Sequence, residues 1–267
     1  MQRNKILEKL QDDNHYYGKF GKQYLSASNI RSLLYYPTEF GKFEKTLPLL
    51  EGRYFHTKIL EPEKIGTIPV MDMATRNNKA FKQHCLDNKL DSYDILLQKE
   101  KDHLENLVDS LLSRWDVFDI VYGSNIEYEI PNIMELDGVK FKGKCDILNK
   151  NPFYIKVEDE NGNVTDVEYP EGAVIDLKTT SNVHKFRHSC REYCYDSQAY
   201  IYQSLFNKPM LFVVIDKRTS EVKFAPCSPE FIESGQHKVN KAIKIFKKFF
   251  SNDKTHNISD YIYKEIL

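Results

Sequence analysis

The segment Ala173-Val174-Ile175-Asp176-Leu177-Lys178-Thr179-Thr180 constrains this chain more than any other. An apolar run enters it, and a carboxylate and an amine then appear two residues apart. In a strand, alternate side chains share a face. Asp176 and Lys178 therefore point one way, while Ile175 and Leu177 point the other. Polar groups at the end of a buried strand are costly unless they have partners or a task. Some thirty residues upstream, Gly143-Lys144-Cys145-Asp146-Ile147-Leu148 is expected to end another strand, again with one carboxylate among apolar neighbours. Two such carboxylates can share a divalent metal, and a nearby lysine can offset anionic charge or orient a water. Those are the parts needed for metal-dependent phosphodiester hydrolysis.

Asp-x-Lys alone is a weak signal, and the chain supplies its own controls. Asp87-Asn88-Lys89 repeats it in a polar, helical stretch, and Glu221-Val222-Lys223 repeats its acidic variant on a strand. Neither has an upstream carboxylate at the end of a comparable strand. The competing reading of Asp176 and Lys178 is a plain ion pair on a sheet face.

The 267 residues suffice for a sizeable core, and no run approaches the length of a membrane-spanning helix. The opening Met1-Gln2-Arg3-Asn4-Lys5 leads into polar residues without the apolar core of a leader, so a cytoplasmic location is expected. Five cysteines at irregular spacing argue against a disulfide framework. A formal net charge of −1 does not advertise nucleic-acid binding, so any phosphate-binding surface must be local.

Residues 1–24 read as a polar, Gly-interrupted segment, expected to be partly mobile. A helix capped by Ser26 or Ser28 runs to Pro37, and a second spans Leu47 to Leu60, stopped by Pro62. Gly52 in that helix suggests close approach of another backbone. His56 reads by itself as packing, although neutral imidazole is a common metal ligand. Residues 63–80 look irregular, with basic Arg76 and Lys79. Helical periodicity covers 92–121. Strands follow at 126–130, 139–148 and, flanking the turn signal Asn161-Gly162, at 154–158 and 164–169. After Lys178 comes a positive segment with His184, Lys185, Arg187, His188 and Arg191, then a helix from Glu192 to Phe206 that places Gln198 and Tyr202 on one face. Strands at 209–215 and 221–225 and a final helix at 229–250 complete the order. The expected fold class is α/β, a central mixed sheet flanked by helices.

Helical His56, Asp146, Asp176-Leu177-Lys178 and Gln198-Ala199-Tyr200-Ile201-Tyr202, in this order, resemble the PD-(D/E)xK nucleases of the RecB type. Ser26-Ala27-Ser28, Pro37, Gly52 with His56, Leu60-Glu61-Pro62, Gly143-Lys144-Cys145-Asp146 and Gly235 before a basic helix narrow the resemblance to RecE-type (exonuclease VIII) domains of phages and prophages. The resemblance spans roughly residues 24–250. It implies a restriction-endonuclease-like core in one domain over 25–267, helical over 25–121 and sheet-based over 122–267, with the hairpin as an insertion.

It also implies roles. His56, Asp146, Asp176 and the Leu177 carbonyl would ligate Mg²⁺ or Mn²⁺. Lys178 would position or activate the attacking water. Gln198 and Tyr202 would hold the DNA backbone or support Lys178. Lys185, Arg187, Arg191, Arg76 and Lys79 are the expected DNA contacts. The implied activity is 5′-to-3′ digestion of linear duplex DNA, leaving a 3′ single strand for a RecT-type annealing protein. The implied assembly is a homo-oligomeric ring such as a tetramer. Alternatives from the same residues are an endonuclease of the superfamily, a CRISPR-adaptation nuclease, whose cysteine cluster is not matched here, and a nuclease-like module that only binds DNA. His184, His188, Cys190 and Cys194 lie within eleven residues and offer a zinc-site alternative to a plain loop and helix.

Overall fold

The computed structural model describes residues 2–158 and 162–263. Two helices open the chain, α1 (Arg3–Gln11) and α2 (Asp13–Tyr17), followed by α3 (Ala27–Tyr35) and α4 (Leu47–Leu60). A two-residue strand β1 (Val70–Met71) and α5 (Lys79–Asn88) precede β2 (Leu96–Leu97), α6 (Gln98–Leu112) and α7 (Trp115–Val121). Next come β3 (Ile126–Leu136), β4 (Val139–Asn149), β5 (Phe153–Glu158), β6 (Val164–Tyr169) and β7 (Ala173–Thr180). The order closes with α8 (Phe186–Glu192), α9 (Tyr195–Phe206), β8 (Met210–Asp216), β9 (Val222–Pro226) and α10 (Pro229–Phe249).

Five strands form one mixed sheet in the order β3-β4-β7-β8-β9. Within this sheet only β7 and β8 run parallel. They are joined by α8 and α9, the helical crossover that a parallel pair requires. Strand β8 is buried along its whole length, and its apolar sequence reads accordingly. Alternation in β7 sorts the core. Ile175 and Leu177 join α4, α6 and α7 on one face through Phe55, Ile59, Leu104 and Leu107. Val174 faces the opposite layer of α3, α8, α9 and α10. The hairpin β5–β6 is a separate two-stranded sheet whose Ile155 and Tyr169 join the α4–α6 side. The Asn161 half of its turn signal lies outside the described residues.

The local signals work as expected in several places. Ser26 caps α3 in a capping box with Asn29. Helix α4 has the expected bounds. Elsewhere the chain departs from its sequence reading. Residues 3–17, expected to be partly mobile, form two helices against β3, burying Leu10 and Tyr16. Arg3 donates to Asn132 at 2.7 Å, and Gln11 donates to the Glu129 carbonyl at 3.2 Å. The helix expected over 192–206 begins only at Tyr195, after a break at Cys194, whose φ of 59° is left-handed, and the preceding positive segment forms a helix of its own, α8. A Cβ at Gly52 would meet nothing within 4 Å, so that glycine permits no close approach. Gly235 does. A Cβ there would lie 2.0 Å from the Asp196 carbonyl oxygen, so α10 crosses α9 at backbone contact. Among the described residues, no helix is long and apolar enough to cross a membrane.

Candidate metal and phosphoryl-transfer site

The site lies where β4 and β7 part. They pair only through Ile147, Leu148 and Asn149 with Ile175, Val174 and Ala173. One residue further, the same register sets Asp146 against Asp176, and there the ladder has ended. On the other side of β4, the register that pairs Tyr128 with Ile147 and Ile130 with Cys145 sets Glu129 against Asp146. Glu129 itself drops out of the ladder, with a φ of 51°. A non-glycine residue held left-handed inside a strand costs of order 1–3 kcal/mol, and such outliers concentrate at functional sites. Glu129, Asp146 and Asp176 thus form one row across three adjacent strands. Beyond the fork, the vacated edge of β4 is filled by Leu25, which bonds the Lys140 carbonyl and the Lys142 N–H at 2.9 and 2.8 Å.

Around this row the partners are specific. Asp146 Oδ2 accepts from the Leu177 N–H at 2.9 Å and sits 3.2 Å from His56 Nδ1. His56 comes from α4, across the sheet face from α9. One ligand atom each from His56, Glu129 and Asp146 lies within 4.8 Å of the others, the metal-compatible group found among the described residues. Asp176 Oδ1 accepts from Gln198 Nε2 at 2.5 Å. Lys178 Nζ lies 2.5 Å from Asp176 Oδ2, an ion pair without hydrogen-bond geometry. Asp176 Oδ2 is thereby the one buried side-chain polar atom among the described residues that lacks a hydrogen bond.

The electrostatics follow from the crowding of carboxylates. Burial opposes a charge on His56, but the Asp146 carboxylate outweighs it and raises the imidazole to about 9. Burial and the neighbouring Asp146 charge push Glu129 up to about 8. Asp176 is raised to about 6, again by burial first and against the pull of Lys178. Asp146 is held below the usual carboxylate range: burial opposes this, and His56 and Lys178 overcome it. Lys178 is raised despite burial, chiefly by Asp176. Without a cation the site therefore holds protons near neutrality on Glu129, whose charge is disfavoured by burial and by Asp146, and on His56, whose charge Asp146 favours.

Not every expected residue is used as expected. Asp146 lies inside β4, three residues before its end. Gln198 supports Asp176 and not Lys178. The Tyr202 hydroxyl is buried and donates to the Lys144 carbonyl at 3.0 Å, so it braces β4. Arg76 is committed elsewhere. Its guanidinium grips Glu100 through both Nη atoms and donates to the Ser92 and Ile95 carbonyls, fastening the 76–100 loop. Lys79 is exposed at the start of α5, and Lys185, Arg187 and Arg191 are exposed around α8. His184, His188, Cys190 and Cys194 do not assemble into a metal site among the described residues. Both cysteines are buried, and exposed His184 pairs with Glu221 at 3.4 Å. Glu129 is the functional candidate that sequence reasoning missed. Its strand was expected and its register partner was not.

No family model matches the chain, and no curated protein is a significant match. Among solved structures, the crystal structure of a "Putative exonuclease" from Eubacterium rectale superposes with a TM-score of 0.59. The match covers 96% of this chain and 95% of that one at 15% sequence identity. The two chains share a fold over nearly their whole length, an α/β architecture with a central mixed sheet flanked by helices. A second structure, SSO0001, matches over 91% of this chain and 85% of that one at 14% identity, with a TM-score of 0.34 that carries no argument.

Proposed function

We propose that this chain is a metal-dependent deoxyribonuclease that hydrolyses phosphodiester bonds at the ends of linear duplex DNA. The observation that carries the reading is the row of Glu129, Asp146 and Asp176 at the strand fork, closed by His56 on one side and Lys178 on the other. The shared fold with a protein described as an exonuclease supports it. The donor set also fits a divalent cation. Carboxylate oxygens suit Mg²⁺, an added imidazole admits Mn²⁺, and one ligand atom each from His56, Glu129 and Asp146 already lies within 4.8 Å of the others. His56, Asp146, Asp176 and the Leu177 carbonyl would hold the ion, with Glu129 beside them. When bound, it would supply Lewis-acid polarisation of the phosphodiester and a more acidic water.

The chain's own residues do the rest. The Asp176 carboxylate and the Tyr195 and Phe212 rings, 4.9 and 5.9 Å from the ammonium, fix Lys178. A cation so held stabilises negative charge developing on a phosphate. Gln198 fixes the rotamer of Asp176, and the Leu177 N–H fixes that of Asp146.

The finer reading is a PD-(D/E)xK nuclease with a restriction-endonuclease-like core, closest to the RecE type. It digests 5′ to 3′ in the cytoplasm as a homo-oligomeric ring and hands a 3′ tail to a RecT-type annealing protein during recombination. Lys185, Arg187, Arg191 and Lys79 are its phosphate contacts. The test uses end-labelled linear and covalently closed circular duplexes with Mg²⁺, with and without EDTA. Loss of label from the linear form alone, abolished by EDTA, is expected. Cutting of the circle would make the enzyme an endonuclease, and no cutting of either would leave a DNA-binding module.

A further inference from the structure

A line of aromatic and cationic groups leads from Lys178 to the surface. The Lys178 ammonium lies 4.9 Å from the centroid of the Tyr195 ring. Tyr195 opens α9 immediately after the left-handed Cys194, and this break brings the Tyr193 ring to 5.9 Å from that of Tyr195, tilted by 35°. The guanidinium of Arg31 on α3 lies 5.5 Å over Tyr193 and 5.3 Å over Tyr36. Arg31 Nε also donates to the Glu192 carbonyl at 3.3 Å, which holds the guanidinium between the two rings. Tyr193 is 50% exposed and Tyr36 49% exposed.

Phe186 and Phe212 nearby are buried. Here two tyrosines keep half their surface in water with an arginine held between them. Exposed Arg191 lies three residues before the same break. Flat π faces, a guanidinium plane and adjacent positive charge are what an unpaired nucleic-acid strand binds. Every base offers a π face, so recognition is tolerant of sequence. The bases of an intact duplex are stacked on one another and cannot offer theirs.

We propose that Tyr193, Arg31 and Tyr36 form a stacking platform for unpaired bases of the DNA strand whose phosphate reaches Lys178. The inference rests on the nuclease reading and adds the form of its substrate: a strand end separated from its complement before cleavage. Splaying an end costs a few kcal/mol, and stacking on the platform offsets that cost.

The test is binding of a short single-stranded oligonucleotide carrying 2-aminopurine at either end, in EDTA so that nothing is cut. The wild-type protein is expected to bind and to quench the probe at one end. Replacing Tyr193 and Tyr36 together with Ala should weaken binding about ten- to a hundredfold and remove the quenching. Tyr193→Phe with Tyr36→Phe should preserve both, since the rings act and the hydroxyls do not. Unchanged affinity and quenching in the Ala variant would overturn the platform, and a lower melting temperature with unchanged binding would show the rings to be braces. A wild-type protein that quenches the probe yet cuts no DNA with Mg²⁺ would overturn the nuclease reading alone.

Discussion

Metal affinity should rise steeply between pH 7 and pH 9. A ligating imidazole or carboxylate must be unprotonated, so the cation competes with protons for the site. At pH 7 His56, raised to about 9, and Glu129, raised to about 8, both hold a proton. Asp146 and Asp176, lowered and raised only to about 6, are already ionised there and add little above pH 7. The sign follows: removing protons exposes ligands, so affinity climbs with pH until each pKa is passed. Displacing one proton gives up to tenfold per pH unit below the pKa, so His56 alone yields about a fiftyfold gain from pH 7 to 9, roughly 2.3 kcal/mol. Glu129, if it ligates, adds about a further tenfold between pH 7 and 9. An unperturbed histidine would instead finish its transition near 6.5 and leave affinity flat above neutrality. Calorimetric Mg²⁺ titrations across this range, in two buffers of different ionisation enthalpy, count the protons released. His56→Ala should remove the larger component and Glu129→Gln the smaller. A flat affinity from pH 7 to 9 with buffer-independent heats would refute the assignment of His56 and Glu129 to the metal site.

Asp146→Ala and Asp176→Ala are both expected to abolish cleavage. Both should also lower stability in a denaturant melt, the first by about 1–3 kcal/mol because it strips the buried Leu177 N–H of its acceptor, and the second because it leaves the Lys178 ammonium and the Gln198 amide without their partner. Lys178→Ala should lower single-turnover cleavage by about 10²–10³ while Mg²⁺ affinity measured by calorimetry stays largely intact. Equal loss of both would give Lys178 a structural role. Replacing Lys185, Arg187 and Arg191 with Ala should weaken DNA binding and flatten the slope of log affinity against log salt by about one for each phosphate no longer neutralised. A parental slope would make them a solvated surface. Gly235→Ala should destabilise the fold by about 1–3 kcal/mol, since α10 must move off the Asp196 carbonyl. An unchanged melting temperature would disprove the close crossing.

What the sequence determined by itself is what depends on neighbours in the chain. The period-two pattern placed β7 and set Asp176 and Lys178 on one face. The Ser26 box started α3, Pro62 followed the end of α4, and the apolar run over 209–215 read as a strand. These signals are local because alternation, capping and proline act within a few residues. The tertiary structure alone decided which side chains meet. Glu129 stands opposite Asp146 only because of the β3–β4 register, and a one-residue slip would turn it to the other face. Arg76 looked like a phosphate contact until the fold brought Glu100 to it. The titration of His56 belongs to Asp146, ninety residues away in sequence and 3.2 Å away in space. Charge interactions depend on distance and desolvation, and neither is written in the order of the residues.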